Sequence, residues 1–303
     1  MTTTGIDAVV AEILATPWPE DIAEARAFYD RDGPRIAADI DVAPLEIAGC
    51  RAQGLVPPAV DEGFATLFLH GGGYVYGSLE SHGGMAAELA RAARCTVYQL
   101  DYRLAPEHPY PAALEDACAA YRWLRQKGYG ADAIALAGDS AGGGLVMATL
   151  LALRDAGDAL PAAAVCISPW VDLTGTGESW QSRQALDPMI DKPLVDKVAR
   201  HYAGGASLTD PLISPIHGDF TGLPPLLIQV GEREVLFSEA ETLAARAGAA
   251  GVAVAFEEWP GMIHVWHLYH PRLKEGRDAI DRVGAFIIEN TRGGRAARRS
   301  IRA

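Results

Sequence analysis

The clearest chemical signal in the sequence is a serine held between glycines. The run GDSAGG from Gly138 to Gly143 places Ser140 after the apolar stretch Ile134 to Ala137 and before a helix-forming run, Leu145 to Arg154. A GxSxG pattern between a strand and a helix is typical of a sharp turn that presents a nucleophilic serine, and glycines are needed there because a Cβ would clash. The start of the following helix also directs free N–H groups at the turn, where they favour negative charge. The pattern therefore predicts Ser140 as the nucleophile of an acyl-transfer reaction.

A second glycine run follows another apolar strand, Phe64 to Leu69, and has the sequence HGGG from His70 to Gly73. Three glycines allow the backbone to come within hydrogen-bond reach of a substrate oxygen, as an oxyanion hole requires. We expect the amides of Gly72, Gly73 and Ala141 to be the donors. A phosphate-binding loop is the alternative, but the Lys and the Ser or Thr of that motif are missing. We expect His70 to organise this loop and not to act as a base.

The general base must come from the eight histidines of the chain. His264 is the best candidate, because it ends the glycine-containing loop that begins at Trp259, just beyond the last predicted strand. When a serine is presented in a strand-to-helix turn of this kind, the acid and then the histidine follow it in the chain. His267 and His270 are rivals, but they are predicted to begin a helical segment.

The acid that orients the base is expected in the segment Gly231 to Leu236, which follows the predicted strand Leu226 to Val230. Glu234 precedes an apolar pair where the loop returns, so its carboxylate could face inward and hold the imidazole in the required tautomer. Glu232 is the second candidate. Either carboxylate could instead be a solvated loop residue.

Short apolar strands alternate with long helical patterns along most of the chain, which predicts parallel strands joined by right-handed crossover helices. The predicted strands are Phe64–Leu69, Thr96–Leu100, Ile134–Ala137, Ala163–Ser168, Leu226–Val230 and Val252–Glu257, preceded by edge strands near Val42–Ala48 and Ala52–Val56. The predicted helices are Met85–Ala93, Ala112–Lys127, Gly143–Ala156, Glu239–Ala249 and Glu275–Glu289. Ser140 and the two loops that carry the acid and the base all follow predicted strands. In a parallel sheet they would meet at one edge.

Two segments fall outside this alternation, and we assign both to a cap over the active site. They are residues 1–40 and the insertion 172–223, which is too long for an ordinary connection. The core would then consist of residues 41–171 and 224–291. The alternative is that both segments only cover the outside of the sheet.

The cap should limit the size of the substrate. Residues of these types are more often ordinary packing than specific contacts, but those that could line an apolar pocket are Tyr74, Tyr76, Asp139, Trp170, Trp180, Met189 and Ile190.

Composition limits the partners. The chain of 303 residues carries 39 acidic and 26 basic residues, a formal net charge of −13. This charge repels nucleic-acid phosphates and anionic lipid headgroups, so neither nucleic acid nor stable membrane association is expected. No signal-like start and no apolar stretch of about 20 residues is present, so a cytoplasmic protein is expected.

The four cysteines, Cys50, Cys95, Cys118 and Cys166, lack CxxC spacing and are predicted to be buried free thiols. No metal and no organic cofactor is expected. Residues 292–303 carry five arginines without a hydrophobic period, which predicts a solvated and disordered basic tail.

Taken together, the HGGG run, the segment DYRLAPE from Asp101 to Glu107, the GDSAGG run and the loop from Gly261 to His264 resemble the bacterial hormone-sensitive-lipase family of esterases. The similarity covers about residues 40 to 290. It implies an α/β-hydrolase fold with a mostly parallel eight-stranded sheet, helices on both faces and a small helical cap, and it makes a homodimer an expected assembly. It also implies that Arg103 and Glu107 form a structural network behind the oxyanion loop. One departure is that Glu234-Val235-Leu236 stands where most of the family has Asp-Pro-Leu.

The expected function is therefore a serine carboxylesterase that hydrolyses small-molecule esters of short to medium acyl chain length through an acyl-enzyme intermediate. Hydrolysis of a lactone or an amide by the same three residues is one alternative. The other is a non-catalytic small-molecule receptor on the same fold, as in the plant gibberellin receptors, which resemble this family but have a damaged triad.

Overall fold

A computed structural model describes residues 5–291. The predicted basic tail, residues 292–303, lies outside them. Within the described residues, no helix is long and apolar enough to cross a membrane.

Eight strands form one sheet in the order β1-β2-β4-β3-β5-β6-β7-β8. Their bounds are β1 Asp41–Ile47, β2 Cys50–Val56, β3 Ala65–Leu69, β4 Thr96–Leu100, β5 Ile134–Asp139, β6 Ala163–Ile167, β7 Leu226–Gly231 and β8 Val254–Trp259. The first three strands in this order pair antiparallel, and all the others pair parallel. The predicted fold class, an α/β hydrolase with a mostly parallel eight-stranded sheet, is confirmed.

The described α-helices are α1 Ile6–Ala15, α2 Ile22–Asp32, α3 Leu79–Ala93, α4 Ala112–Gln126, α5 Ala141–Asp155, α6 Ser179–Ser182, α7 Lys192–Ala203, α8 Phe237–Ala249 and α9 Lys274–Asn290. Two apolar clusters cover the two faces of the sheet. One contains side chains of α4, α5 and α8, and the other contains side chains of α3 and α9. Successive residues of β5, such as Leu136 and Ala137, enter opposite clusters, as the period of two in a strand requires.

Most predicted elements lie within a few residues of the observed ones, and α3 differs most. It was expected to begin at Met85 but begins at Leu79, because Ser78 caps it by accepting from the amides of Glu80 and Ser81. Gly83 and Gly84 weaken the helical signal in the sequence. Gly84 is required inside the helix, since a Cβ there would collide with the Pro34 carbonyl.

The N-terminal segment and the insertion 172–223, which fall outside the alternation of strands and helices, contain four of the described α-helices. α1 and α2 come from the N-terminal segment, while α6 and α7 lie in the insertion. Val9 of α1 packs with Met262, Ile263 and Trp266, which flank His264 in the chain. An ion pair between Arg272 and Glu12 also joins α1 to the region after this loop. The N-terminal segment therefore packs against the loop that carries the predicted base.

The four cysteines are buried and free, as predicted.

Candidate active site

Ser140 occupies the turn between β5 and α5. Its backbone has φ 52° and ψ −121°, a strained conformation for a residue with a side chain. A Cβ at Gly142 would collide with the Leu69 carbonyl, which accounts for the glycine two positions after the serine. The Ser140 amide donates to Ile167 of the neighbouring strand, at 2.8 Å, so the turn is anchored to the sheet.

Ser140, His264 and Glu234 lie in one chain of hydrogen bonds. His264 Nε2 is 2.9 Å from Ser140 Oγ, and His264 Nδ1 is 2.9 Å from Glu234 Oε2. An ionised carboxylate can only accept, so Nδ1 carries the proton and Nε2 is left to accept from the serine hydroxyl. The structure thus brings together the three side chains that the sequence indicated for acyl transfer.

Glu234 is fully buried, and its second oxygen is also occupied. Oε1 accepts from Ser168 Oγ at 2.7 Å and from the Gly231 amide at 2.5 Å. Ser168 Oγ in turn accepts from the Val265 amide at 3.1 Å, next to His264. These bonds hold the carboxylate and the histidine loop in one unit.

The electrostatics favour a basic imidazole. Burial alone lowers the pKa of His264, but the hydrogen bond to Glu234 and the negative charges of Glu234, Asp187 and Asp139 together outweigh it, so that the pKa lies above its usual value of 6.5. His264 is therefore a stronger base than a free imidazole. It can also be stabilised as an imidazolium.

The glycine loop carries two backbone amides without an acceptor among the described residues. Gly72 and Gly73 have φ of 113° and 62°, conformations that favour glycine. Among the hydrogen bonds of residues 5–291, none is donated by the Gly72 or Gly73 amide. Ala141 is the first residue of α5, and the first amides of a helix have no acceptor within it. The three predicted donors thus have no hydrogen-bond acceptor within the described part of the chain.

Asp139, which the sequence suggested as a pocket residue, is hydrogen-bonded to the glycine loop. Its side chain is fully buried. One oxygen accepts from the Gly71 amide at 3.0 Å, and the other lies 3.2 Å from His82 Nε2. Because both oxygens have partners, Asp139 holds Gly71, the residue that precedes the predicted oxyanion donors Gly72 and Gly73, in place.

His70 is buried in the same support. Its ring stacks on Tyr102 with centroids 4.2 Å apart, and the Tyr102 hydroxyl donates to the His70 carbonyl at 2.7 Å. Burial lowers the pKa of His70 to about 3, so this ring is neutral at ordinary pH. The placement supports a structural role, as the sequence suggested.

The rival candidates are occupied elsewhere. His267 Nε2 lies 2.8 Å from Gln229 Oε1, and His270 Nδ1 lies 3.1 Å from a backbone carbonyl. Glu232 Oε2 accepts from the Gly261 amide at 2.7 Å. Glu232 therefore braces the loop that carries His264, while Glu234 contacts the imidazole.

The predicted pocket residues are mostly packed among other side chains. Tyr74 stacks on Tyr202 of α7, with ring centroids 3.7 Å apart, and its centroid is 6.1 Å from that of Trp170. Tyr76 meets the ring of Trp18 edge-on at 5.4 Å.

The remaining three predicted pocket residues belong to the insertion. Trp180 is buried with the Lys192 ammonium 5.6 Å from its ring centroid. Met189 packs with the side chains around His264, and Ile190 packs against the main core. They join the insertion to the body of the protein.

The network implied for Arg103 and Glu107 divides into two parts. Arg103 pairs with Asp116 of α4 at 2.8 Å. Glu107 pairs with Arg26 of α2 at 2.8 Å, and Arg26 also donates to the Val75 carbonyl just after the glycine loop. Glu107 is thus linked through Arg26 to the segment after the glycine loop, whereas the partners of Arg103 belong to α4.

Sequence reasoning missed Ser168 and Asp187. Ser168 stands at the end of the predicted strand Ala163 to Ser168, on the edge of the sheet where the site was expected, so its position was a usable signal. Asp187 had no such signal, because it lies inside the insertion.

Comparisons with known proteins place this geometry in a family. The model of a family described as having the α/β hydrolase fold matches residues 66–268. The chain belongs to this family. An acetyl-hydrolase from Streptomyces hygroscopicus is 47% identical over 285 residues, 92% of this chain and 95% of the relative. An esterase from Mycobacterium tuberculosis is 33% identical over 295 residues, 94% of this chain and 97% of the relative.

Solved structures similar to this chain are also esterases. An esterase of the bacterial hormone-sensitive lipase family has a TM-score of 0.91 at 46% identity, covering 94% of this chain and 97% of that one. The esterase EstE5, in a crystal soaked with p-nitrophenyl butyrate, has a TM-score of 0.92 at 44% identity, covering 94% and 98%. The predicted membership of the bacterial hormone-sensitive-lipase group and the predicted enzyme class, a carboxylic ester hydrolase, are confirmed.

Proposed function

We propose that this esterase hydrolyses carboxylic esters through a Ser140–His264–Glu234 triad and an acyl-enzyme intermediate. The observation that carries the proposal is the pair of 2.9 Å contacts that His264 makes, with Ser140 Oγ on one side and Glu234 Oε2 on the other. A hydroxyl, an imidazole and a buried carboxylate in this order are the parts that acyl transfer needs.

In the first step Ser140 Oγ attacks the ester carbonyl, and His264 Nε2 takes the hydroxyl proton. Negative charge develops on the carbonyl oxygen, where the amides of Gly72, Gly73 and Ala141 bind it. His264 then gives its proton to the leaving alcohol, which departs and leaves the acyl group on Ser140. Water repeats the sequence, with His264 as its base, and releases the acid.

Glu234 keeps its role despite its extra methylene relative to an aspartate. Its Oε1 is held by Ser168 and the Gly231 amide, which leaves Oε2 aimed at the imidazole. The longer side chain is therefore anchored at its far end, and its freedom is small.

We also propose that the substrates carry short to medium acyl chains. Tyr202 and Val198 of α7 lie against the glycine loop, through the stack on Tyr74 and the approach of Val198 to Gly73. A cap helix packed this close to the oxyanion donors supports a limited space for the acyl chain.

Replacing the nucleophile tests the mechanism directly. Ser140→Ala removes the attacking oxygen, so kcat for p-nitrophenyl butyrate is expected to fall by about four orders of magnitude or more, because the triad acts as a unit. Steady-state kinetics measure the loss, with circular dichroism as the check on folding. A folded variant with activity near that of the wild type would exclude the scheme.

The two loop glutamates provide a matched pair of variants. Glu234→Gln cannot stabilise the imidazolium and favours the wrong tautomer, so kcat is expected to fall by about 10⁴-fold. Glu232→Gln keeps a carbonyl oxygen for the Gly261 amide, and its kcat is expected to change by less than about tenfold. Kinetics of both purified variants decide between the two acids. Equal losses would contradict the assignment of Glu234.

A substrate panel tests the chain-length proposal. Four p-nitrophenyl esters are compared: the acetate, butyrate, octanoate and palmitate. We expect one of the first three to have the highest kcat/KM and the palmitate to have the lowest, because the cap restricts the space for the acyl chain. A simple lactone should react more slowly than the best of these esters. Preference for palmitate, or for the lactone, would overturn the proposed substrate class.

A further inference from the structure

Asp187 is a buried carboxylate carried by the insertion, between α6 and α7. Only 7% of the surface of Asp187 is exposed to solvent. Oδ1 accepts from the amides of Met189 and Ile190, at 2.9 and 3.1 Å, within its own loop. Oδ2 accepts from the Val235 amide at 3.0 Å, across to the loop that carries Glu234. The insertion is thus hydrogen-bonded to the residue next to the acid of the triad.

No Lys or Arg among the described residues forms an ion pair with Asp187. Three N–H donors face its two oxygens, which favours the ionised form even though burial raises the pKa of this carboxyl. A buried anion without a partner cation is costly, so its charge must be offset by the groups around it. The positive charge that His264 gains when it is protonated lowers the pKa of Asp187 and so favours its ionised form.

The charges that face His264 come from several elements. Glu234 approaches from the loop after β7, Asp187 from the insertion and Asp139 from the end of β5, and each favours the protonated imidazole. His267, in the loop of His264 itself, is neutral because burial lowers its pKa to about 3. Asp187 is the only member of this set that the insertion supplies.

We propose that Asp187 is a positioning residue for the acid–base pair, which holds the backbone beside Glu234 and places a second negative charge near His264. The inference rests on the proposed function, since it assumes that His264 is the base. Through this residue the insertion takes part in building the triad and does more than cover the site. The imidazolium that forms during attack is stabilised by both carboxylates.

The test compares two carboxylates of the insertion. Asp187→Asn removes the charge near His264 and leaves one of the three backbone donors facing an amide NH₂ group. Asp191→Asn is the matched control, because Asp191 is exposed and only caps α7 by accepting from the Leu194 amide. The pH dependence of kcat/KM for p-nitrophenyl butyrate is measured for the wild type and for both variants.

The direction in which the pH profile should shift follows from the role of His264 as the base. kcat/KM falls below the pKa at which His264 becomes protonated, and loss of a nearby anion lowers that pKa. We therefore expect the acidic limb of the profile to move to lower pH in Asp187→Asn, by about one unit. We also expect kcat at the optimum to fall about tenfold with KM nearly unchanged. The Asp191→Asn profile should coincide with that of the wild type.

Two further variants separate charge from structure. Asp187→Ser is neutral but keeps an acceptor oxygen, so it should show the same shift and serves if the asparagine variant does not fold. Asp187→Glu keeps the charge, and its acidic limb should stay at the wild-type position even if kcat falls. An acidic limb that does not move in a folded neutral variant, or that moves equally in Asp187→Glu, overturns the proposal.

Failure of this inference differs from failure of the proposed function. If Ser140 is not the nucleophile, Ser140→Ala keeps its activity whatever the Asp187 variants do. If only the Asp187 proposal is wrong, Ser140→Ala is inactive and the Asp187 profiles coincide with that of the wild type.

Discussion

The hydrogen bond between His264 and Glu234 is the interaction on which the site depends. It joins two loops that follow different strands, β7 and β8, and it is buried from solvent. A buried carboxylate is stable only when its lone pairs are used, and Glu234 accepts from His264, Ser168 and Gly231. These contacts favour the ionised form of the Glu234 carboxylate and hold its Oε2 against the imidazole of His264.

The parallel sheet makes this arrangement available. The carboxyl ends of β5, β6, β7 and β8 lie side by side, so Ser140, Ser168, Glu234 and the loop before His264 leave the sheet at one edge. The helices add the electrostatic part, since α5 begins at Ala141 and directs its first amides toward the serine. The fold thus supplies both the reacting groups and the donors for an oxyanion.

Much of the core of the site could be predicted from the sequence, because its residues have local signals. Ser140 and the glycine loop carry steric requirements that only glycines meet, and each follows a recognisable apolar strand. His264 and Glu234 could be narrowed down by chain order and by the strands that precede them. The Glu234 assignment still left Glu232 as a rival, and only the hydrogen bonds of the folded chain separate the two.

The supporting residues could not be predicted in this way. Asp139 lies beside the nucleophile in sequence, but its hydrogen bonds to Gly71 and His82 span 68 and 57 residues of chain. Asp187 reaches Val235 across 48 residues of chain, and no local pattern encodes such a contact. Arg103 was expected by resemblance to belong to a structural network, and its partner Asp116 becomes known only from the folded chain. Long-range polar contacts depend on packing that a single sequence does not reveal.

The central claim is that the acyl group passes through Ser140 Oγ. The most direct measurement is mass spectrometry of the protein quenched during turnover of p-nitrophenyl butyrate. The account predicts one butyryl group, located on the peptide that contains Ser140. A butyryl group on a different residue, or an unacylated wild-type protein together with full activity of a folded Ser140→Ala variant, would contradict it.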